Sequence, residues 1–203
     1  MDRIGILGGS FDPVHLGHIC LAQDAMKQAG LCRVIFVPVN LQPFKLTQKM
    51  TAGEDRINML RAATADLDGL EVSDYELRSD RISYTYLTMR AMKRIWGEDS
   101  RLFFITGTDT FLKIETWKNA KELLTCYSYI IGTRPGYRQE ELESCIARVR
   151  RDYNTEVRNI NNVQMDVSST EIRRRLETGT PAGDLIPDQV ERYIRKHGLY
   201  RQD

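Results

Sequence analysis

The chain has 203 residues, of which 29 are lysine or arginine and 28 are aspartate or glutamate, so its formal net charge is +1. A charge this close to zero excludes a global electrostatic attraction to nucleic acid or to an anionic membrane, and any affinity for phosphate must therefore be local. Hydrophobic residues make up 41% of the chain, and no apolar run approaches the length of a membrane span. The length favours one compact domain, here residues 1–203.

The N-terminal residues enter a strand-like run without the cationic and apolar regions of a signal peptide. The four cysteines stand far apart with no CxxC pair, which indicates reduced structural thiols and not a disulfide framework or a zinc site. We therefore expect a cytoplasmic protein that binds neither membrane nor nucleic acid. The sequence leaves open whether it forms a homo-oligomer.

Apolar runs of strand length alternate with longer helical stretches, a pattern typical of an α/β protein. In the first half, the pattern predicts a strand at 3–7, a helix at 15–29, a strand at 33–37, a helix that starts at a capping box of Thr51 and Glu54, and a strand at 71–77. In the second half, it predicts a helix at 85–95, a strand at 102–106, a short helix at 119–124, a strand at 127–132, a helix at 139–151, a strand around 157–165, and closing helices at 169–177 and 188–196. We expect a Rossmann-like open, mostly parallel sheet with helices on both faces, in a single domain.

The loop after the first strand has the sequence GGSFDPVHLGH over residues 8–18. It lies where a strand leads into a helix, which is where open α/β sheets bind ligands. The adjacent Gly8 and Gly9 let the backbone approach a phosphate closely, and the helix N-terminus offers unpaired N–H groups. The loop contains neither GxGxxG nor the Walker sequence. It therefore predicts a nucleotide site of another kind.

Two of the three histidines, His15 and His18, are three residues apart at the start of this helix. At that spacing their side chains share one face and can point at one small volume. A structural pair of histidines and half of a metal site are the alternatives. Neither the remote His197 nor the scattered cysteines have a spacing that predicts further metal ligands. Phosphate binding explains more of the pattern.

Residues 8–18 resemble the GxFxPxHxGH signature of the nucleotidyltransferase superfamily, whose HxGH element also occurs in class I aminoacyl-tRNA synthetases. A neutral chain of 203 residues hardly has room for a tRNA-binding region, which favours a small adenylyltransferase.

Residues 167–173 resemble the superfamily's ISSTxIR motif, with three hydroxyls at a helix start and Arg173 one turn inside. Ser168 and Glu171 also form an ordinary capping box, but the hydroxyls, the helix dipole and the guanidinium together predict an anion site. The resemblance implies that the residues of the two motifs that bind ATP are Gly8, Gly9, Ser10, Phe11, His15, His18, Ser168, Ser169, Thr170 and Arg173.

Further segments resemble the bacterial nicotinate-mononucleotide adenylyltransferase family over nearly the whole chain. The matching segments are SYT at 83–85, GTD at 107–109 followed by Trp117, RPG at 134–136 and the ending GLYR at 198–201. The resemblance implies that Gly107 and Asp109 hold the ribose and adenine side of ATP, and that Thr85, Trp117 and Arg134 bind the pyridine mononucleotide. Core packing for Trp117 and turn capping for Asp109 are the alternatives.

One segment departs from that family, which commonly has PPHK in the loop after the second strand. Here residues 42–45 read QPFK, so Phe44 replaces the histidine and Lys45 remains available for substrate and for the reacting phosphates.

The resemblance implies that AMP passes from ATP to nicotinate mononucleotide by direct in-line displacement, giving deamido-NAD and pyrophosphate. His15, His18, Lys45 and Arg173 would be the catalytic residues. Mg²⁺ is the expected cofactor, arriving with ATP, since no acidic cluster indicates a metal held by the protein alone. The alternatives are an adenylyltransferase for nicotinamide mononucleotide or phosphopantetheine, and a nucleotide-binding regulator without catalysis.

Overall fold

The structure is a computed structural model that describes residues 1–41, 50–79, 81–133, 138–163 and 165–201. The strands in these ranges are β1 (Arg3–Gly9), β2 (Arg33–Pro38), β3 (Leu70–Val72), β4 (Arg101–Gly107), β5 (Ser128–Gly132) and β6 (Val157–Ile160). The α-helices are α1 (Leu16–Ala29), α2 (Gly53–Thr64), α3 (Thr85–Trp96), α4 (Thr108–Phe111), α5 (Ala120–Cys126), α6 (Gln139–Tyr153), α7 (Ser169–Glu177) and α8 (Asp188–His197), and a 3₁₀ turn spans Ile114–Thr116.

The strands form one sheet in the order β3-β2-β1-β4-β5-β6, and each pairing among them is parallel. Helices cover both faces of the sheet, as shown by successive strand residues that belong to two different hydrophobic clusters. Ile6 of β1 lies in the cluster that contains Met89 of α3, and the next residue, Leu7, lies in the cluster that contains Ala22 of α1. Burial on both faces explains why these strands are apolar runs without polar alternation. The predicted α/β fold class is confirmed.

The strand order reverses direction between β1 and β4, which are neighbours in the sheet. Helices that follow the two strands diverge at such a point and leave a crevice at the carboxyl ends of the strands. The register pairs Leu7 with Ile105, so the glycine-containing ends of β1 and β4 lie at the same edge. The fold therefore places the loop of residues 8–18 beside Gly107.

The predicted capping box at Thr51 is wrong. Helix α2 begins at Gly53 after Ala52 and has no side-chain cap. The Thr51 N–H instead donates to Asp12 Oδ2 at 3.2 Å, and its carbonyl accepts from Arg56 Nε at 2.9 Å. The backbone of Thr51 therefore makes tertiary hydrogen bonds, and Thr51 does not cap the helix.

Two predicted strands are shorter than expected. The strand predicted at 71–77 ends at Val72, since the chain then turns and the Arg78 N–H donates to the Asp74 carbonyl at 3.1 Å. The strand predicted at 157–165 ends at Ile160, because the Asn161 N–H bonds to the side chain of Gln28 at 3.1 Å. Among the described residues, none of the helices has the length and apolarity that crossing a membrane requires.

Candidate active site

A cavity of about 740 Å³ opens at the carboxyl ends of β1 and β4. This volume is in the range of small-molecule sites. Seven of the residues predicted for the site line the cavity: Gly8, Gly9, His18, Thr85, Gly107, Asp109 and Trp117. The fold thus brings three distant segments of the chain around one space.

The ring of Phe11 supports the first of these segments from behind. It is buried, and it packs edge-on against His18 with centroids 4.9 Å apart and against Phe36 with centroids 5.5 Å apart. A Cβ on Gly9 would lie 2.9 Å from this ring. Gly9 is therefore required by close packing, and Phe11 acts on the site through the position of His18.

His15 is the N-cap residue of α1, and its ring stacks on that of His18 with centroids 3.6 Å apart. The His15 backbone N–H donates to His18 Nδ1 at 3.3 Å. Burial and the neighbouring His15 hold the pKa of His18 well below its usual value of 6.5, so the ring is neutral at pH 7. A neutral imidazole that accepts at Nδ1 carries its proton on Nε2. His18 therefore has an Nε2–H donor for a ligand in the cavity.

His15 lies outside the residues that line the cavity. Burial lowers its pKa to about 4, and its Nδ1 has no hydrogen-bond partner among the described residues. The two histidine rings lie together by stacking on each other, but only His18 lines the cavity, so the prediction that both point at one ligand volume stays a prediction. His15 is in contact with His18, and a direct contact of His15 with ATP stays a prediction.

Gly17 lies between the loop of residues 8–18 and the motif of residues 167–173, a role that the sequence did not reveal. A Cβ at this position would lie 2.9 Å from Val167 Cγ1 and 3.1 Å from His15 Nδ1. Only glycine allows the first turn of α1 to approach both side chains. The signal was available in the HxGH spacing, but the partner Val167 was not.

The second motif bonds to the loop that carries the histidines. The Ser168 hydroxyl caps α7 by accepting from the Glu171 N–H at 3.1 Å. Ser169 Oγ donates to the Pro13 carbonyl at 2.9 Å, and Arg173 Nη1 donates to the Asp12 carbonyl at 2.7 Å.

A further bond within the motif runs from Arg173 Nη2 to Thr170 Oγ1 at 3.3 Å. The predicted residues of the motif lie beside the loop and do not line the cavity. Ser10 and Phe11, which belong to the loop, do not line it either. Their contact with ATP stays a prediction.

The pyridine side of the predicted site combines a helix start with an indole. Thr85 is the first residue of α3, so its N–H has no acceptor within the helix. Trp117 packs edge-on against Phe104 with centroids 5.8 Å apart and also lines the cavity. The geometry provides N–H donors for an anionic group beside an aromatic surface.

Two lysines that sequence reasoning missed also line the cavity. Lys118 Nζ lies 4.4 Å from the centroid of the Tyr84 ring, and Lys113 is on the segment between α4 and α5. No local pattern distinguishes them from surface lysines. Their charge makes the cavity suitable for anionic ligands.

Glu76 is a buried acid in the cavity wall, and sequence reasoning missed it as well. One carboxyl oxygen accepts a hydrogen bond from the hydroxyl of Thr88, and the other, Oε2, has no partner among the described residues. Burial raises the pKa of this carboxyl, and the nearby hydroxyls of Ser83 and Thr88 partly oppose the shift. A carboxylate in a turn gives no sequence signal for such burial.

The remaining predicted residues differ in what the structure says of them. Asp109 Oδ1 lies 3.7 Å from Arg138 Nη1 at the rim of the cavity. Lys45, Arg134 and the departure at Phe44 lie outside the described residues. Within the described ranges, no group of three or more His, Cys, Asp or Glu side chains is arranged to hold a metal ion.

The chain is similar to known proteins over its full length. The cytidylyltransferase-like family model matches residues 6–175. A relative from Thermoanaerobacter sp. (strain X514), which bears the name nicotinate-nucleotide adenylyltransferase, is 38% identical over 201 residues, covering 99% of this chain and 95% of that protein. The chain belongs to the nicotinate-nucleotide adenylyltransferase family. The resemblance identified from the sequence motifs is confirmed.

Other proteins that bear the name of this family are also similar to the chain. A relative of the same name from Moorella thermoacetica is 39% identical over 98% of this chain and 92% of its own. The Plasmodium falciparum nicotinic acid mononucleotide adenylyltransferase, solved in complex with NaAD, has a TM-score of 0.79 at 21% identity, with 98% of each chain covered. The same enzyme in complex with APC has a TM-score of 0.76. These structures share the fold of the present chain.

Proposed function

We propose that this protein transfers the AMP moiety of ATP to nicotinate mononucleotide and releases pyrophosphate, forming deamido-NAD in NAD synthesis. The observation that carries the proposal is a cavity lined by Gly8, Gly9 and His18 of the loop of residues 8–18 together with Thr85 and Trp117. Relatives at 38% and 39% identity bear the name of this activity. The related Plasmodium enzyme has been solved with NaAD and with APC, which fits a site for a dinucleotide and for an ATP analogue.

The ATP end of the site is the loop of residues 8–18 with the start of α1. Gly8 and Gly9 line the cavity where β1 ends, and the triphosphate lies on this side, near the positive end of the α1 dipole. His18 adds the Nε2–H donor. Burial keeps His18 uncharged in the ligand-free protein, where it offers the phosphoryl oxygens a hydrogen-bond donor in a fixed position. Gly107 and Asp109, across the crevice, take the ribose and adenine.

The acceptor end is the start of α3 with Trp117. The nicotinate carboxylate binds the Thr85 hydroxyl and N–H, which have the polarity that an anion requires. The electron-poor pyridine ring stacks on the indole. Lys118 lies at the same wall of the cavity and favours an acceptor that carries a carboxylate and a phosphate. From the family resemblance, Arg134 joins these residues.

The reaction is one displacement at the α-phosphorus of ATP. An oxygen of the nicotinate mononucleotide phosphate forms the new P–O bond as the bond to the β-phosphate breaks, and pyrophosphate leaves with that electron pair. A phosphomonoester has a second pKa of about 6, so the nucleophile is already mostly dianionic at pH 7 and needs no general base. The protein therefore acts by positioning the two phosphates and by stabilising charge.

Cationic groups complete the site. Arg173, held beside the loop by its bond to the Asp12 carbonyl, balances charge on the triphosphate of ATP. From the family resemblance, Lys45 has the same task. Mg²⁺ would be held mainly by ATP phosphates and water. When bound, the ion neutralises charge on the pyrophosphate.

We propose that the protein acts in the cytoplasm. The four cysteines are free, which fits a reducing cytoplasm. The reactants are small molecules, and the proposal involves no nucleic acid or membrane.

The test is pyrophosphate release from ATP and Mg²⁺ with one acceptor at a time. Nicotinate mononucleotide should be strongly preferred, and nicotinamide mononucleotide and phosphopantetheine are the matched alternatives. Preference for either alternative would refute the assignment of Thr85 and Trp117. Binding of ATP without pyrophosphate release with any of the three would support a regulator instead.

A further inference from the structure

A hydrogen bond joins Tyr200 to the loop of residues 8–18, called the phosphate loop from here on. Tyr200 Oη donates to Asp12 Oδ1 at 2.6 Å, across 188 residues of sequence. Asp12 is only 4% exposed and lies between Phe11 and the histidines of α1. Burial and the Asp12 charge raise the pKa of Tyr200, so the hydroxyl stays a donor. A residue far outside both phosphate motifs thus bonds to the loop that carries His18.

The backbone reaches this contact through a turn that the chain builds at a conformational cost. Gly198, with a φ of 62°, caps the C-terminus of helix α8, and the Leu199 N–H donates to the Ile194 carbonyl at 3.1 Å. Tyr200 then has a φ of 59°, a left-handed conformation that non-glycine residues seldom adopt. Such a conformation persists where surrounding contacts hold it. The bond to Asp12 is one of those contacts.

Asp12 is also bonded to the other segments around the loop. Its Oδ2 accepts from the Thr51 N–H at 3.2 Å, and its carbonyl accepts from Arg173 Nη1 at 2.7 Å. Arg56, only 2% exposed, donates to the carbonyls of Ser10 and Thr51 at 2.8 and 2.9 Å. Burial lowers the pKa of Arg56, and the nearby Asp12 charge partly opposes that shift. The loop between Ser10 and His15 is therefore fixed by buried bonds on each side of Asp12.

We propose that Tyr200 is a positioning residue for the ATP phosphates, because its hydroxyl orients the buried Asp12 carboxylate and thereby the loop that carries His15 and His18. Tyr200 lies outside the residues that line the cavity, so it acts through Asp12 and does not touch the reacting atoms. This inference deepens the proposed function and rests on it for the identity of the nucleotide.

The chain offers a matched control for the loss of one phenol hydroxyl. Tyr193 on α8 also donates to an aspartate, Asp55 Oδ1, at 2.9 Å, but Asp55 lies on α2. Tyr193→Phe and Tyr200→Phe each remove a hydrogen bond from a tyrosine to an aspartate, and Tyr193→Phe also removes the bond that Tyr193 Oη accepts from Asn58 Nδ2 at 3.3 Å. Only the second removes a donor from the Asp12 carboxylate, whose Oδ2 keeps its bond from the Thr51 N–H.

The experiment compares steady-state kinetics and backbone hydrogen exchange of the two variants. For Tyr200→Phe we expect kcat/KM for ATP to fall about 10- to 100-fold, because small misplacements of reacting groups have effects of that size. The KM for nicotinate mononucleotide should stay within about twofold, and Tyr193→Phe should stay within about twofold in every constant. Exchange should accelerate at residues 10–18 in Tyr200→Phe alone.

Equal losses in the two variants, or unchanged kinetics in Tyr200→Phe, would overturn the inference. If Tyr200→Phe is too unstable for the activity assay at the working temperature, hydrogen exchange is measured at a lower temperature, below the unfolding transition of the variant. Unchanged exchange at residues 10–18 would then overturn it. A wild-type protein that is inactive with nicotinate mononucleotide would refute the proposed function, and the exchange measurement would still test the link from Tyr200 to the loop.

Discussion

Replacing Gly17 by alanine tests whether the close approach of α1 to the second motif positions the histidines. The added Cβ would lie 2.9 Å from Val167 Cγ1, 3.1 Å from His15 Nδ1 and 3.2 Å from His15 Cε1. Val167 and His15 are 8% and 7% exposed, so neither can turn freely into solvent. His15 must therefore move relative to Val167, and its ring is stacked 3.6 Å from His18. The substitution should therefore displace His18, which carries the Nε2–H donor, without removing any polar group.

The magnitude for Gly17→Ala follows from two opposing effects. Overpacking a core typically costs about 1 to 3 kcal/mol, and alanine is favoured over glycine in a helix by about 1 kcal/mol. The net loss in the free energy of unfolding is then about 0 to 2 kcal/mol, which for a chain of this size lowers the Tm by about 0 to 8 °C. Turnover should fall much further, by about 100-fold, because a misplacement of about 1 Å has effects of that order.

The assay for Gly17→Ala measures both thermal unfolding and pyrophosphate release below the Tm. Gly53→Ala is the control, since it also adds a methyl group in the first turn of a helix, and its closest contact is the flexible end of Leu77 at 2.9 Å. The control should keep nearly full turnover. Wild-type turnover in Gly17→Ala, or an equal loss in Gly53→Ala, would refute the reasoning.

Three further substitutions have defined outcomes. His18→Ala should lower kcat about 100- to 1,000-fold while circular dichroism shows an intact fold, since one preorganised donor is lost; unchanged turnover would contradict that role. Trp117→Ala should raise the KM for nicotinate mononucleotide about tenfold and leave that for ATP unchanged, and equal changes in both would argue for core packing alone. For Glu76, whose folded pKa is above the unfolded value of 4.5, stability should fall as pH rises from about 4.5 through the folded pKa. Glu76→Gln should remove that fall in denaturant titrations, and identical pH profiles would contradict it.

The sequence predicted the fold through features that are local. The apolar runs of β1, β2 and β4 and the helical periods between them follow from burial on both faces of a parallel sheet, and the structure has these elements. The failures lie where tertiary contacts compete with local chemistry. Thr51 could have capped α2 but gives its N–H to Asp12. The strand predicted at 157–165 stops early because a glutamine side chain from α1 takes the next backbone N–H.

The site was predictable to the extent that motifs mark it. Seven of the predicted residues line one cavity, and the HxGH spacing correctly placed the histidines together. The stacking of His15 beneath His18 and the neutral state of both rings depend on burial that spacing does not encode. Lys118 and Glu76 were missed because a lysine or a glutamate in a turn resembles any surface residue.

Positioning residues were the hardest to find from sequence. Arg56 donates to the Ser10 carbonyl, 46 residues away in the sequence, and Tyr200 donates to Asp12, 188 residues away. Their roles follow from the folded arrangement of buried donors and acceptors. Burial of an arginine with three bonds to carbonyls is unusual enough to indicate function, but only once the structure is known.

The most direct test of the central claim is to incubate the protein with ATP, Mg²⁺ and nicotinate mononucleotide and to quantify the nucleotide products by chromatography. We predict that deamido-NAD and pyrophosphate form in equal amounts and that both fall together in His18→Ala. Hydrolysis of ATP without a dinucleotide, or formation of a dinucleotide at wild-type rate in His18→Ala, would contradict the account.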